Sequence, residues 1–224
     1  SEDRRKAFAW LLGYAAHVAT DVTIHPVVEL KVGPYAQNKK HHRICELHQD
    51  AYIFQRLNLG GVGLSEHLDS GIWGCCDTPG SGRMDFAIST LWRSMLKQCY
   101  PSAFRASPPN LDAWHQGFRN VVDKIAEEGN KLFPFARHLA VKSGMTYPAS
   151  DEVDGQYVDL VSVPDPYGEL PYDDVFDRAI GSVKSMWSYI AKGVYAGGQE
   201  YTVAIGNWNL DTGRDEHGNL VYWS

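Results

Sequence analysis

The chain is 224 residues long, 44% hydrophobic and 21% charged, with a formal net charge of −6. That composition fits one generous globular domain, or one with an appendage. It speaks against a nucleic-acid partner, which wants a basic surface, and no run of consecutive apolar residues approaches a membrane span, so no transmembrane segment is expected.

Residues 3 to 24 read as the first helix, with the charges Glu2, Asp3, Arg4 and Arg5 leading into an apolar body. No basic-then-apolar signal opens the chain, so the expectation is an export signal that was removed or never present. Pro26 fits a kink or the end of the regular part of that helix, and Gly33-Pro34 closes the element. Ala36 to Leu57 predicts the second helix. A Gly-rich stretch follows from Gly60 to Gly82, ending in the loop Thr78-Pro79-Gly80-Ser81-Gly82, where function-bearing residues are often found. His67, Asp69 and Asp77 in that stretch are candidate late ligands for any ion bound by the helices.

Met84 to Cys99 predicts a third helix, with Phe86, Leu91, Trp92, Met95 and Leu96 at helical spacing. A fourth starts at a cap near Asn110 or Asp112 and runs to Glu128, its stripe being Trp114, Phe118, Val121 and Ile125; His115 beside the stripe reads as structural. Leu132 to Ser143 is a shorter helix. From Thr146 to Pro171 the chain is polar, acidic and Pro-rich: a surface loop, a hairpin through residues 157–161, or a substrate-facing flap. Helix returns from Tyr172 to Lys192. Tyr201 to Trp223 alternates bulky residues around Asp- and Gly-bearing turns and reads as a terminal β-hairpin. The expected organisation is a helical domain over residues 1–200 with residues 201–224 as a hairpin appendage. The fold class is mostly α, a multi-helix bundle with that small hairpin. Cys45, Cys75, Cys76 and Cys99 lack the paired spacing of a zinc ribbon and predict free thiols.

The chemistry concentrates between Gly13 and Asp50. GYAAHVATDVTIHP gives His17, Asp21 and His25 at i, i+4, i+8, and HHRICELHQD gives His42, Glu46 and Asp50 at the same spacing. On a helix, i and i+4 side chains lie above one another, and eight residues drift only about 80° around the axis. Each segment therefore presents a row of imidazoles and carboxylates, the ligands of Zn²⁺ where thiolates are not used. Around them the sequence is apolar, so such groups must be paired or metal-bound. A carboxylate between two histidines, as Asp21 stands, suits a site with two ions a few ångströms apart.

The pattern G-Y-x-x-H-x-x-x-D-x-x-x-H-P followed by H-x-x-x-E-x-x-x-D resembles the bacterial zinc-dependent phospholipase C family, and is similar to the amino-terminal domain of glycosylphosphatidylinositol-specific phospholipase D. The resemblance covers roughly residues 8 to 57. It implies an all-helical domain holding two or three zinc ions that hydrolyses phospholipid headgroups at a membrane surface, giving diacylglycerol and a phosphorylated headgroup by a metal-activated water. By position His17 would be a ligand, Asp21 the bridging carboxylate, and His25, His42 and Glu46 the shell of a further zinc; Asp50 matches a family position without an assignable role. It also implies a secreted or exported bacterial protein. The family's best-known members take further ligands from an amino-terminal Trp, a nearby His and an upstream His or Asp. Ser1 stands only 16 residues before His17, so those ligands are expected from an upstream segment or from substitutes later in the chain.

Two other readings keep the helices. A zinc-dependent single-strand nuclease would use similar ligands but wants stacking aromatics and basic surface. A binding module with a degenerate metal site would keep the fold without the chemistry. Serine or cysteine nucleophiles have no support, since no nucleophile elbow of the G-x-S-x-G kind is present.

Overall fold

The computed structural model describes residues 1–59, 71–120, 142, 144 and 146–223. Its helices are α1 (Glu2–Val32), α2 (Tyr35–Arg56), α3 (Phe86–Cys99), α4 (Pro101–Ala106), α5 (residues 111–120), α6 (Tyr172–Ala196) and α7 (Tyr201–Ala204). Two antiparallel two-residue ladders complete it: β1 (Val161–Ser162) with β2 (Glu169–Leu170), and β3 (Trp208–Asn209) with β4 (Arg214–Asp215). The mostly α fold with a small carboxy-terminal hairpin is as the sequence predicts.

The chain forms two compact units, residues 1–11 with 63–132 and residues 12–62 with 133–224. In the first, Asp85 caps α3 by accepting hydrogen bonds from the Ala87 and Ile88 amides, and its other oxygen receives Lys6 Nζ at 3.0 Å. Asn110 caps α5 through the Ala113 amide. Met84, Ile88 and Leu111 are buried there, with Trp10 and Trp92 packed beside them, and His115 is buried with Nε2 3.3 Å from Cys76 Sγ. All four cysteines are free thiols. The predicted continuation of α5 to Glu128 and the helix from Leu132 to Ser143 lie outside the described residues, apart from Lys142, which is helical.

The second unit carries α2, α6 and most of α1. Val27, Val28, Cys45, Val161 and Val175 fill its core, with Trp223 from the end of the chain among them. A second cluster packs Ala15 and Ala19 of α1 on Met186 of α6, beneath Trp208 and Tyr222. The small α1 residues allow the approach, and the Trp187 indole N–H donates to the Leu12 carbonyl at 2.8 Å.

Several boundaries differ from expectation. α1 runs on past residue 24, through Pro26, to Val32, where Gly33-Pro34 closes it as the sequence predicts. Proline has no N–H and so removes the helical donor to the Val22 carbonyl four residues before it. The carboxy-terminal segment closes on this stretch: the Trp223 indole donates to the Thr23 carbonyl at 2.7 Å. Gly213 has φ +65° and sits so close that a Cβ there would collide with the Val22 carbonyl oxygen and the Pro26 ring. α2 keeps its predicted span, with one non-helical residue at Asn38. α4 was not foreseen. Residues 155–157 form a 3-10 turn instead of a strand, and the hairpin falls at β1–β2, around a turn containing Gly168. The predicted carboxy-terminal hairpin is shorter than 201–223 because residues 201–204 are helical.

By length and composition α1 is also long and apolar enough to cross a membrane. The core helix of a soluble protein meets the same criterion, and α1 is interrupted by His17, Asp21 and His25.

Candidate metal centre

The i, i+4 rows predicted on α1 and α2 meet at one pocket. A cleft of about 420 Å³ in the second unit is lined by His17, Asp21 and His25 of α1 and by Arg43, Glu46 and Asp50 of α2. Phe54, Tyr147, Tyr172 and Phe176 supply aromatic wall. Helix periodicity explains the convergence: the same faces that hold these residues are flanked by the apolar stripes that pack α1, α2 and α6 together.

At the cleft wall, Glu46 Oε1 lies 3.0 Å from His25 Nε2 and 3.2 Å from His42 Nε2. His25, His42 and Glu46 each offer a ligand atom within 4.8 Å of the others. His42 is 2% exposed and meets the rings of His25 and Tyr35 edge-on. Its Nδ1 is buried without a hydrogen-bond partner.

The other nitrogen of His25 decides its chemistry. Nδ1 lies 2.5 Å from the Leu210 carbonyl oxygen. A carbonyl only accepts, so Nδ1 must carry the proton, and in the neutral ring Nε2 is a bare lone pair. That lone pair faces a carboxylate. Such a contact is favourable only with a proton or a cation between the two.

Charge follows this geometry. Burial opposes charging of His25, but the Glu46 hydrogen bond, the Asp21 charge and the Leu210 carbonyl raise its pKa overall. Burial likewise pushes Glu46 up, yet the hydrogen bonds from His25 and His42 hold its carboxyl at about 2.

A second group lies alongside. His17 Nε2 is 3.3 Å from Asp21 Oδ2, with His17 exposed and Asp21 mostly covered. Burial first, then Glu46 and Asp211, raise the Asp21 pKa against the pull of His25 and His17. Asp50 is reached by solvent through the cleft, yet the enclosing walls, followed by repulsion from Glu46, push its carboxyl up to about 6. Burial raises the Tyr147 phenol to about 12, so it stays a hydrogen-bond donor at neutral pH. Arg43 is the cation on the cleft wall, its Nε donating to the Gly144 carbonyl at 2.7 Å.

The donor set fits a zinc ion. Four ligands 2.0–2.2 Å from a tetrahedral centre stand roughly 3.3–3.6 Å apart, and two edges of the triangle already measure 3.0 and 3.2 Å. Two imidazoles and a carboxylate leave a fourth position open, as catalytic zinc sites do. One imidazole already has its outer hydrogen bond, to Leu210.

Of the residues expected from sequence, the fold brings His17, Asp21, His25, His42, Glu46 and Asp50 to one place. His67 and Asp69 lie outside the described residues. Asp77 belongs to the first unit, where its carboxylate meets Arg83 at 3.4 Å. Arg43, Tyr147 and Leu210 were missed. Arg43 lies between two ligand positions and reads as ordinary helix surface, while a main-chain carbonyl leaves no trace in a sequence.

Residues 1–102 match the profile of the family described as zinc dependent phospholipase C. Over this part the chain is similar to that family. The match takes in both ligand rows and stops well before the carboxy-terminal hairpin that touches His25. It supports a phospholipase C-type function at the level of the family. No curated protein and no solved structure matches the chain.

Proposed function

We propose that the protein is a zinc-dependent phosphodiesterase that hydrolyses phospholipids between diacylglycerol and the phosphorylated headgroup. The observation that carries this reading is the meeting of His25 Nε2, His42 Nε2 and Glu46 Oε1 at an open cleft, beside the His17–Asp21 pair.

His25, His42 and Glu46 would hold one ion, and His17 and Asp21 would contribute to another. Zinc there supplies a Lewis acid that offsets charge on the phosphoryl oxygens and acidifies a water. The protein's own part is to hold and neutralise the substrate. The Arg43 guanidinium on the wall suits a phosphate oxygen, the Tyr147 hydroxyl can donate to another, and Phe54 and Phe176 give apolar surface for the glyceride side. Asp50, with its raised pKa, is placed to take or return a proton near neutral pH.

The test is zinc-loaded protein on phosphatidylcholine vesicles, with phosphocholine release measured against Glu46→Ala and with single-stranded DNA as a parallel substrate. Release by the wild type and loss in the variant support the proposal. Cleavage of DNA alone would transfer the site to a nuclease, and no cleavage of either by zinc-loaded protein would remove the enzymatic reading.

A further inference from the structure

The row of cleft residues on α2 changes character before the helix ends. Glu46, Asp50 and Phe54 stand at i, i+4 and i+8, and all three line the cleft. At about 1.5 Å per residue, Phe54 lies roughly 12 Å along the helix from Glu46. Leu57 follows three residues later and is 47% exposed. From the start of α6, Tyr172 and Phe176 line the cleft as well.

The end of α2 holds this apolar edge in place. Asn58 has φ +53°, the left-handed conformation that asparagine tolerates at the end of a helix. Its amide donates to the Gln55 carbonyl at 3.0 Å, and the Leu59 amide donates to the Phe54 carbonyl at 3.0 Å. That closure turns Leu59 back to the cleft wall beside Phe54, where it remains 43% exposed. Arg56 ties the same end to α6, with Nε 3.2 Å from Asp173 Oδ1 and Nη2 3.0 Å from Asp177 Oδ1. Its guanidinium lies 5.5 Å from the centre of the Phe176 ring. The cation of this edge is thus already matched by carboxylates, and Leu57 and Leu59 are its outward apolar groups.

Along α2 the cleft therefore runs from imidazole and carboxylate groups to apolar side chains. A phospholipid has the same order of polarity, from phosphate to acyl chain. Two leucines held half in water are unfavourable, and an apolar phase at that edge would remove the penalty.

We propose that the end of α2, through Leu57 and Leu59, is the surface by which the protein seats on a phospholipid bilayer, the two leucines entering the acyl region beside the cleft. This rests on the phosphodiesterase reading made above. It adds how substrate is presented: lipid drawn from a bilayer, its phosphate directed to the ligand rows and its acyl chains left at the α2 edge.

The experiment compares the zinc-loaded wild type with the double variant Leu57→Ser, Leu59→Ser. Binding is read by sedimentation with phosphatidylcholine vesicles on ice. Phosphocholine release from those vesicles is compared with release from dihexanoylphosphatidylcholine kept below its micellar concentration. Both positions are about half exposed, so the variant should keep its circular dichroism spectrum. Its partition onto vesicles should fall about 10-fold or more, as expected for two half-exposed leucines withdrawn from an apolar phase. The ratio of vesicle to monomer hydrolysis should fall with it. A variant that binds vesicles within twofold of wild type would overturn the proposal, as would a wild type that cleaves the soluble lipid without sedimenting with vesicles; both leave the phosphodiesterase reading intact. A wild type that is dimeric without lipid, and monomeric in the variant, would assign the edge to a second copy of the chain instead. A wild type that cleaves neither lipid would overturn the phosphodiesterase reading and the proposal with it. Should the double variant fail to fold, Leu57→Ser alone decides by the same sedimentation assay.

Discussion

The Trp223 indole N–H donates to the Thr23 carbonyl at 2.7 Å, joining the end of the chain to α1 three residues before Pro26. Trp223 is 1% exposed and packs in the main core of its unit. The guanidinium of Arg178 lies over its ring at 4.4 Å from the centroid. Removing it therefore loses both a large buried surface and a buried hydrogen bond. Trp223→Ala is expected to destabilise the protein by about 3–5 kcal/mol, measured by urea denaturation. A change below about 1 kcal/mol would show that the carboxy-terminal segment contributes little to the fold.

Glu46 is the carboxylate common to both imidazole contacts. Glu46→Ala should therefore reduce zinc affinity by more than the roughly 10- to 100-fold typical of an outer-shell loss. Glu46→Gln keeps the shape and loses the charge, and is expected to fall between the two. Competition with a chromophoric chelator reads all three proteins, and equal affinities would remove Glu46 from the ligand set.

The metal-free site should show its own pH optimum. Glu46 falls from 4.5 to about 2 on folding, so the stability it contributes is fully present above 4.5 and is lost as pH falls towards 2. His25 moves up from 6.5, so its contribution is fully present below 6.5 and is lost as pH rises through its folded value. The two overlap between 4.5 and 6.5. Chelator-treated protein is expected to melt highest in that window. Zinc should shift the optimum upward, because a ligating His25 must give up its Nε2 proton. Melting temperatures from pH 4 to 8, with and without zinc, check this; identical profiles would contradict it.

Asp50 is the remaining titratable group with a large shift. Its carboxyl moves from 3.8 to about 6, so the folded protein holds that proton more tightly than the unfolded chain does. Ionising it costs stability progressively as pH rises through that interval. A carbon-13 NMR titration should give a midpoint near 6 for the metal-free protein. With zinc bound the midpoint should fall, since a nearby cation favours the carboxylate. Asp50→Asn should remove the titration and the loss of metal-free stability between pH 3.8 and about 6.

Much of the centre was legible before any fold was known. His17, Asp21 and His25, then His42, Glu46 and Asp50, stand at a spacing that a helix converts into rows, and the hydrophobic residues between them say which faces turn inward. Asn110 marks a helix start by the capping chemistry of its side chain, whereas Asp85, read as lying inside the third helix, is its cap. At Pro26 the sequence left a kink and an end both open, because proline disfavours helix locally and only packing of the surrounding helix keeps the chain helical beyond it. The ladder of Val161 with Leu170 was likewise missed, its two-residue strands being too short for any alternation to register.

The sequence by itself determined the ligand chemistry, the helical rows and the family likeness of the amino-terminal segment, because these depend on residue identity and on i, i+4 geometry that every α-helix shares. Only the tertiary structure decided which nitrogen of His25 faces the cleft, and that the Leu210 carbonyl stands against the other. Those relationships join residues up to 185 positions apart. They are set by how Gly213 and Trp223 pack against α1 around Pro26, and local periodicity carries no information about such packing.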